Sequence, residues 1–178
     1  MILIIDFGSQ FNQLIARRVR EGRVYCQIEP PGIPLEEIRR LKPEGIILSG
    51  GPASIYEEHG PRADVGIFDL GCPVLGICYG MQFMVDALGG RVKRARKREY
   101  GFAQLEIPKA EGLFKGLNAQ TTCWMSHGDS ITELPRGFRV TGSTANTPIA
   151  AMADPRRKLY GLQFHPEVEH TPKGRAIL

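Results

Sequence analysis

Through the first half of the chain, short apolar runs alternate with longer stretches in which apolar residues recur every three or four positions. The runs at residues 2–5, 24–28, 46–48 and 74–77 read as buried strands. The stretches at 10–21, 35–41, 62–70 and 79–88 read as amphipathic helices, the last ended by Gly89 and Gly90. Strands that alternate with helices call for a parallel sheet with helices on both faces. From Gly90 onward the period changes. β-like runs at 104–107, 121–125, 138–142, 149–152 and 159–164 predict strands, several of them antiparallel additions to the sheet. The expected fold class is α/β: a three-layer, doubly wound, mostly parallel sheet with antiparallel additions in the C-terminal half. With no linker, repeat or low-complexity segment, residues 1–178 are expected to form one domain. A last helix opening at Thr171-Pro172 is expected to be cut short at Leu178.

Composition adds limits rather than direction. The 178 residues are 42% hydrophobic and 24% charged, as expected of a water-soluble domain with a sizeable core. The apolar opening Met1-Ile2-Leu3-Ile4-Ile5 stops at Asp6, too short to span a membrane and lacking the charged start of a signal peptide. Cys26, Cys72, Cys78 and Cys123 form no Cys-x-x-Cys pair and no metal-like spacing with the 4 histidines, so no metal and no disulfide framework are expected, and a reducing cytoplasm is. The net charge of +4 is concentrated in residues 91–98, which carry Arg91, Lys93, Arg94, Arg96, Lys97 and Arg98. Such a run is a solvated edge or a docking surface for an acidic partner domain. Without interleaved aromatics or a binding motif it does not argue for nucleic acid.

Three strand ends carry the candidate chemistry. In Val74-Leu75-Gly76-Ile77-Cys78-Tyr79-Gly80, an apolar strand gives way to a helix at a small-residue turn. Such a junction points the side chain outward and sets the sulfur at a helix N-terminus, where orphan amides and the helix dipole stabilise a thiolate. Near the C-terminus, His165-Pro166-Glu167 places an imidazole and a carboxylate two residues apart. In extended backbone these share a face, so a base and the group that orients it can converge on one place. The run Ser49-Gly50-Gly51-Pro52 frees backbone amides to turn toward a ligand, and the Gly51 and Tyr79 amides can form an oxyanion hole. Each feature also has a plain structural reading. Cys78 can be a core thiol, His-Pro-Glu a solvated turn, and Gly-Gly-Pro a strand-ending turn. Gln82 can be a helix surface residue, His127 and Asp129 parts of a satisfied turn, and Ser9 a cap for the helix starting near Gln10.

Taken together, the motifs resemble the class I glutamine amidotransferases, which hydrolyse glutamine to release ammonia. The resemblance covers essentially the whole chain. GICYGMQ from Gly76 and QFHPEV from Gln163 carry it for the class; DFGSQ from Asp6, SGGPASIYEE from Ser49, Glu99-Tyr100-Gly101 and MSHGD from Met125 are similar to the GMP synthetase branch. The resemblance implies a flavodoxin-like fold. It further implies Cys78 as the nucleophile forming a γ-glutamyl thioester, His165 as acid and base, Glu167 orienting it, and Gly51 and Tyr79 as the oxyanion hole. Gln82 and the backbone around Ser126 and His127 are implied to hold the α-amino and α-carboxylate groups of glutamine. The partner implied is a synthetase (ATP-pyrophosphatase) domain or subunit that uses ATP and Mg to activate xanthosine monophosphate. No phosphate-cradling Gly-x-x-x-x-Gly-Lys loop occurs here, so no cofactor is expected in this chain itself. The rival readings are a glutaminase feeding anthranilate or carbamoyl phosphate synthesis, and a doubly wound binding module whose Cys78 is structural or a redox sensor.

Overall fold

A computed structural model describes the backbone of residues 1–178 and all side chains except those at 96 and 97. Four-residue strands β1 (Ile2–Ile5), β2 (Cys26–Glu29), β3 (Gly45–Leu48) and β4 (Val74–Ile77) form where the apolar runs predict them. Helices α1 (Asn12–Glu21), α2 (Leu35–Leu41) and α3 (Tyr79–Ala87) connect or follow them. The later strands are β5 (Arg91–Glu106), β6 (Gln120–Glu133), β7 (Arg139–Gly142), β8 (Ala151–Asp154) and β9 (Leu159–Leu162), followed by the short α4 (Gly174–Ile177). The main sheet runs β2-β1-β3-β4-β9-β8-β7. Its first five strands are parallel, and β8 and β7 add antiparallel at the far edge. The parallel part has the flavodoxin-like order, in which ligands bind beyond the carboxyl ends of the strands.

Alternating strand residues feed two cores, one on each face of the sheet. Leu3, Ile5, Ile46, Leu48 and Val74 pack with Ile38 of α2 and Met81, Phe83 and Met84 of α3. Ile4, Ile47, Leu75 and Ile77 pack with Ile15 and Ala16 of α1. Two cores are what a sheet apolar on both faces needs to leave water.

The structure corrects three sequence expectations. The helix expected over 62–70 is a 3-10 turn, Val65–Asp69, anchored by buried Ile67 and Phe68 and capped by the Asp64 carboxylate, which accepts from the Gly66 amide at 2.8 Å. The runs at 104–107 and 121–125 are pieces of much longer strands, and β5 and β6 pair with each other as a separate two-stranded ribbon instead of joining the main sheet. Burial in β6 alternates from Cys123 to Ile131, but two of its inward positions are His127 and Asp129. Those polar residues interrupt the apolar alternation that would have revealed the strand. Finally, β9 stops at Leu162, so His165 and Glu167 stand on an irregular segment beyond it.

The ribbon is what closes the carboxyl end of the sheet. Val92 and Ile131 at one end pack into the core beneath α3, whereas Leu105, Cys123 and Met125 at the other pack into the core beneath α1. Its middle therefore passes over the strand ends from one face of the molecule to the other. There the register shifts: Arg94 opposes Asp129 and Glu99 opposes His127, so residues 95–98 bulge out against Gly128 alone. The basic run at 91–98 lies on this bulge and the strand leading into it; of its six charges, those at 96 and 97 lie outside the described side chains.

Candidate active site

Cys78 sits between β4 and α3 with φ 50° and ψ −107°, a left-handed backbone that side chains rarely adopt. Close packing enforces the bend. A Cβ on Gly76 would lie 2.7 Å from the Gly80 carbonyl, and one on Gly80 would lie 2.3 Å from the Leu48 oxygen. Only glycine at both positions lets the first turn of α3 press against β4 and β3. The Cys78 amide donates to the Leu162 carbonyl at 2.7 Å, which ties the turn to the end of β9. The sulfur, on a residue 6% exposed, lies 3.6 Å from the Ser126 carbonyl oxygen and 3.7 Å from Gln163 Nε2, which donates to it.

His165 reaches the same place from the segment after β9. Around Gly50 the two side chains converge: a methyl placed there would be 3.2 Å from His165 Cε1 and 3.7 Å from Cys78 Cβ. His165 Nδ1 is 2.8 Å from Glu167 Oε1, and Glu167 is fully buried. The segment is held by three further bonds. The His165 amide donates to the Trp124 carbonyl at 3.0 Å, the Thr171 hydroxyl donates to the His165 carbonyl at 2.7 Å, and the Trp124 amide donates to that hydroxyl at 3.0 Å. Burial works against a charged imidazole, but hydrogen bonds to the Cys78 sulfur and to Glu167, with the charges of both, outweigh it and raise the His165 pKa to about 10.

A cavity of about 530 Å³ opens beside the sulfur, lined by Gly51, Tyr79, Gln82, Ser126 and His127 among others. Tyr79 is the first residue of α3, so its amide is one of the helix's orphan donors. The rim carries both signs of charge, with Glu57 and Asp129 against Arg94 and Arg98. Gln82 is not on the helix surface: it is 3% exposed, and its amide donates to the Asp129 carbonyl at 3.3 Å and to Gln163 Oε1 at 3.2 Å. The His127 side chain turns away into a buried network, with Nδ1 2.8 Å from the Asp129 carbonyl and Nε2 3.2 Å from the Thr147 hydroxyl. Ser126 and His127 both border the cavity.

Sequence reasoning passed over Gln163, whose place two residues before His165 in a motif was the one signal it offered. It also passed over Arg94, Arg98 and Glu57, which reach the cavity only through folding. Ser9 does not cap α1: the N-cap is Phe11, and the Ser9 hydroxyl accepts from the Phe11 amide at 3.0 Å within the preceding turn. Among the described residues no group of three or more His, Cys, Asp or Glu side chains is arranged to hold a metal ion, and no helix is long and apolar enough to cross a membrane.

The chain that carries this elbow cysteine and buried imidazole–carboxylate pair matches, over residues 3–178, the model of glutamine amidotransferase class-I, and it belongs to that family. More particularly, it is 59% identical over 177 residues to a GMP synthase [glutamine-hydrolyzing] of Heliobacterium modesticaldum and 52% identical over 178 residues to one of Natranaerobius thermophilus. Those alignments cover 99% and 100% of this chain but 34% and 35% of the relatives, so the chain spans about a third of the length of the curated relatives it matches. A solved structure from Thermoplasma acidophilum, described as one subunit of a GMP synthase, superposes with a TM-score of 0.89 at 34% identity, covering 99% of this chain and 88% of that one.

Proposed function

We propose that the chain is the glutamine-hydrolysing part of a GMP synthase, taking glutamine as substrate and passing ammonia to a synthetase partner. The observation that carries the chemistry is the convergence of Cys78 and the His165–Glu167 pair around Gly50, beside a cavity with charges of both signs on its rim. An amino acid zwitterion fits such a rim. Its carboxylate would meet Arg94 or Arg98 and its ammonium the carboxylates of Glu57 and Asp129. Gln82 and the backbone around Ser126 and His127 would hold the stem.

In this reading the Cys78 thiolate attacks the side-chain amide carbon of glutamine. Negative charge moves onto the amide oxygen, which the Gly51 and Tyr79 backbone N–H groups stabilise as an oxyanion hole. His165 gives its proton to the departing nitrogen, the C–N bond breaks, and ammonia and a γ-glutamyl thioester result. Water then adds to the thioester carbon while His165 takes a proton from it. The C–S bond breaks, and glutamate leaves with the thiolate and imidazolium restored. Glu167 keeps the ring oriented and its charge compensated through both steps. No cofactor takes part in this chain. ATP and Mg would belong to the partner synthetase domain or subunit, which the relatives' greater length accommodates, and the setting would be the cytoplasm.

An electrophilic glutamine analogue tests the reading. The expected result is stoichiometric covalent labelling at Cys78 with loss of ammonia release. Cys78→Ala should abolish both while sparing synthesis from free ammonia in the complete enzyme. A folded protein that neither labels nor releases ammonia would overturn the reading. Failure of a GMP-type synthetase with its nucleotides to raise glutamine turnover would point instead to another nitrogen acceptor.

A further inference from the structure

Two cavities meet at Cys78. Besides the larger one, a cavity of about 220 Å³ borders Cys78, walled by the loop Gly8, Ser9, Gln10 and Phe11. Cys78, Gly51, Pro52 and Ser126 border both spaces. The remaining site residues divide between them: Tyr79 and Gln82 line only the larger, and His165 lines only the smaller. The imidazole thus borders the smaller space and not the one proposed for the glutamine stem.

We propose that the smaller cavity is the subsite for small neutral molecules, through which ammonia leaves and the hydrolytic water enters. The proposal rests on the glutaminase reading above. The leaving nitrogen must accept a proton from His165, and the incoming water must give one back to the same ring. Both molecules therefore occupy the side of the acyl carbon that His165 faces, and by microscopic reversibility water takes the position that ammonia vacates. The γ-glutamyl chain meanwhile lies in the larger cavity, which leaves the smaller one clear beside His165. Its wall suits such traffic. Ser9, in the loop that walls it, adds a hydroxyl to the lining. The Phe11 ring meets the imidazole edge-on at a centroid distance of 5.7 Å and supplies an apolar wall that limits bulk water.

Filling this space separates the two sides of the site. Ser9→Leu and Gln10→Trp, at two residues of the loop that walls it, each occupy the smaller cavity. In the leucine and tryptophan variants, labelling of Cys78 by the electrophilic analogue, which needs only the larger cavity, should keep its rate. Glutamine turnover should fall about ten- to a hundredfold, with γ-glutamyl thioester accumulating in acid-quenched samples. Added hydroxylamine, bulkier than water, should capture less of the intermediate than in the unchanged protein. Normal turnover without thioester accumulation in either filled variant that labels normally would overturn the proposal. So would loss of labelling in both, which would place the loop against the substrate cavity. If the unchanged protein neither labels nor hydrolyses glutamine, it is the glutaminase reading that fails.

Discussion

The charge on His165 is set by what surrounds one ring. Glu167 Oε1 accepts from Nδ1 at 2.8 Å, its other carboxylate oxygen is buried without a partner, and Arg18 Nε donates to the Glu167 backbone carbonyl at 3.0 Å. A fully buried carboxylate in this position has little to do except stabilise the imidazolium. Replacing it with the neutral isostere, Glu167→Gln, should lower kcat for ammonia release by about two to four orders of magnitude with KM for glutamine little changed. Steady-state kinetics checks the split. The pH dependence follows from the same pair. The ring's folded pKa, about 10, lies above its ordinary 6.5, so the pair's contribution is complete below about 6.5 and is lost as pH rises through about 10. In Glu167→Gln the alkaline limb of the Cys78 labelling profile should move toward neutral pH.

The elbow depends on how closely one helix approaches one strand. The Gly80 amide donates to the Ser49 carbonyl at 3.0 Å, and its Cα side faces the Leu48 backbone with no room for a methyl group. Backbone on both sides of the contact cannot swing aside as a side chain would. Gly80→Ala should therefore cost about 3 kcal/mol or more of folding stability, at the upper end for overpacking a core, as read from the urea midpoint. Labelling of Cys78 should slow as well, because the clash tilts the helix whose first amide lies beside the sulfur. The ribbon is fixed by different means, through apolar residues at its two ends and a single backbone bridge from Glu106 to Ser143, just past β7. That arrangement frees the polar middle of β6 to line the cavity.

Across the molecule, a buried polar network joins the ribbon to the loop before β8. The Thr144 hydroxyl donates to both Glu99 oxygens at 3.1 Å, and the Thr147 hydroxyl lies 2.5 Å from Glu99 Oε2 and 3.2 Å from His127 Nε2. Burial pulls the His127 pKa below 6.5, and the charge of His165 adds to this, although the Asp129 carbonyl and Glu99 resist it. With a folded pKa below the unfolded one, the stability stored here is complete above the unfolded value and shrinks as pH falls through it toward the folded one. The melting temperature should accordingly drop between about pH 7 and about pH 5, and His127→Gln should flatten that slope relative to the unchanged protein. An equal slope in the two proteins would assign the pH dependence to other groups.

The first four parallel strands, the helices α1 to α3 and the elbow were readable from local pattern, because a strand apolar on both faces and a helix apolar on one declare themselves within a few residues. The pairing of an imidazole with a carboxylate was readable too, since Pro166 holds the two within one short segment. What lay beyond such reading was everything set by contacts between distant segments. The ribbon's inward His127 and Asp129 look like loop residues until a cavity lies beneath them. The 3-10 turn at Val65–Asp69 keeps a helical pattern but gains its burial from Ile67 and Phe68 alone. The meeting of Cys78 with His165 around Gly50, and the division of the space about the sulfur into two cavities, arise from strands 85 residues apart lying side by side in the sheet, as β4 and β9 do. Local chemistry selects the elements; chain topology, acting through burial on both faces of one sheet, selects their neighbours.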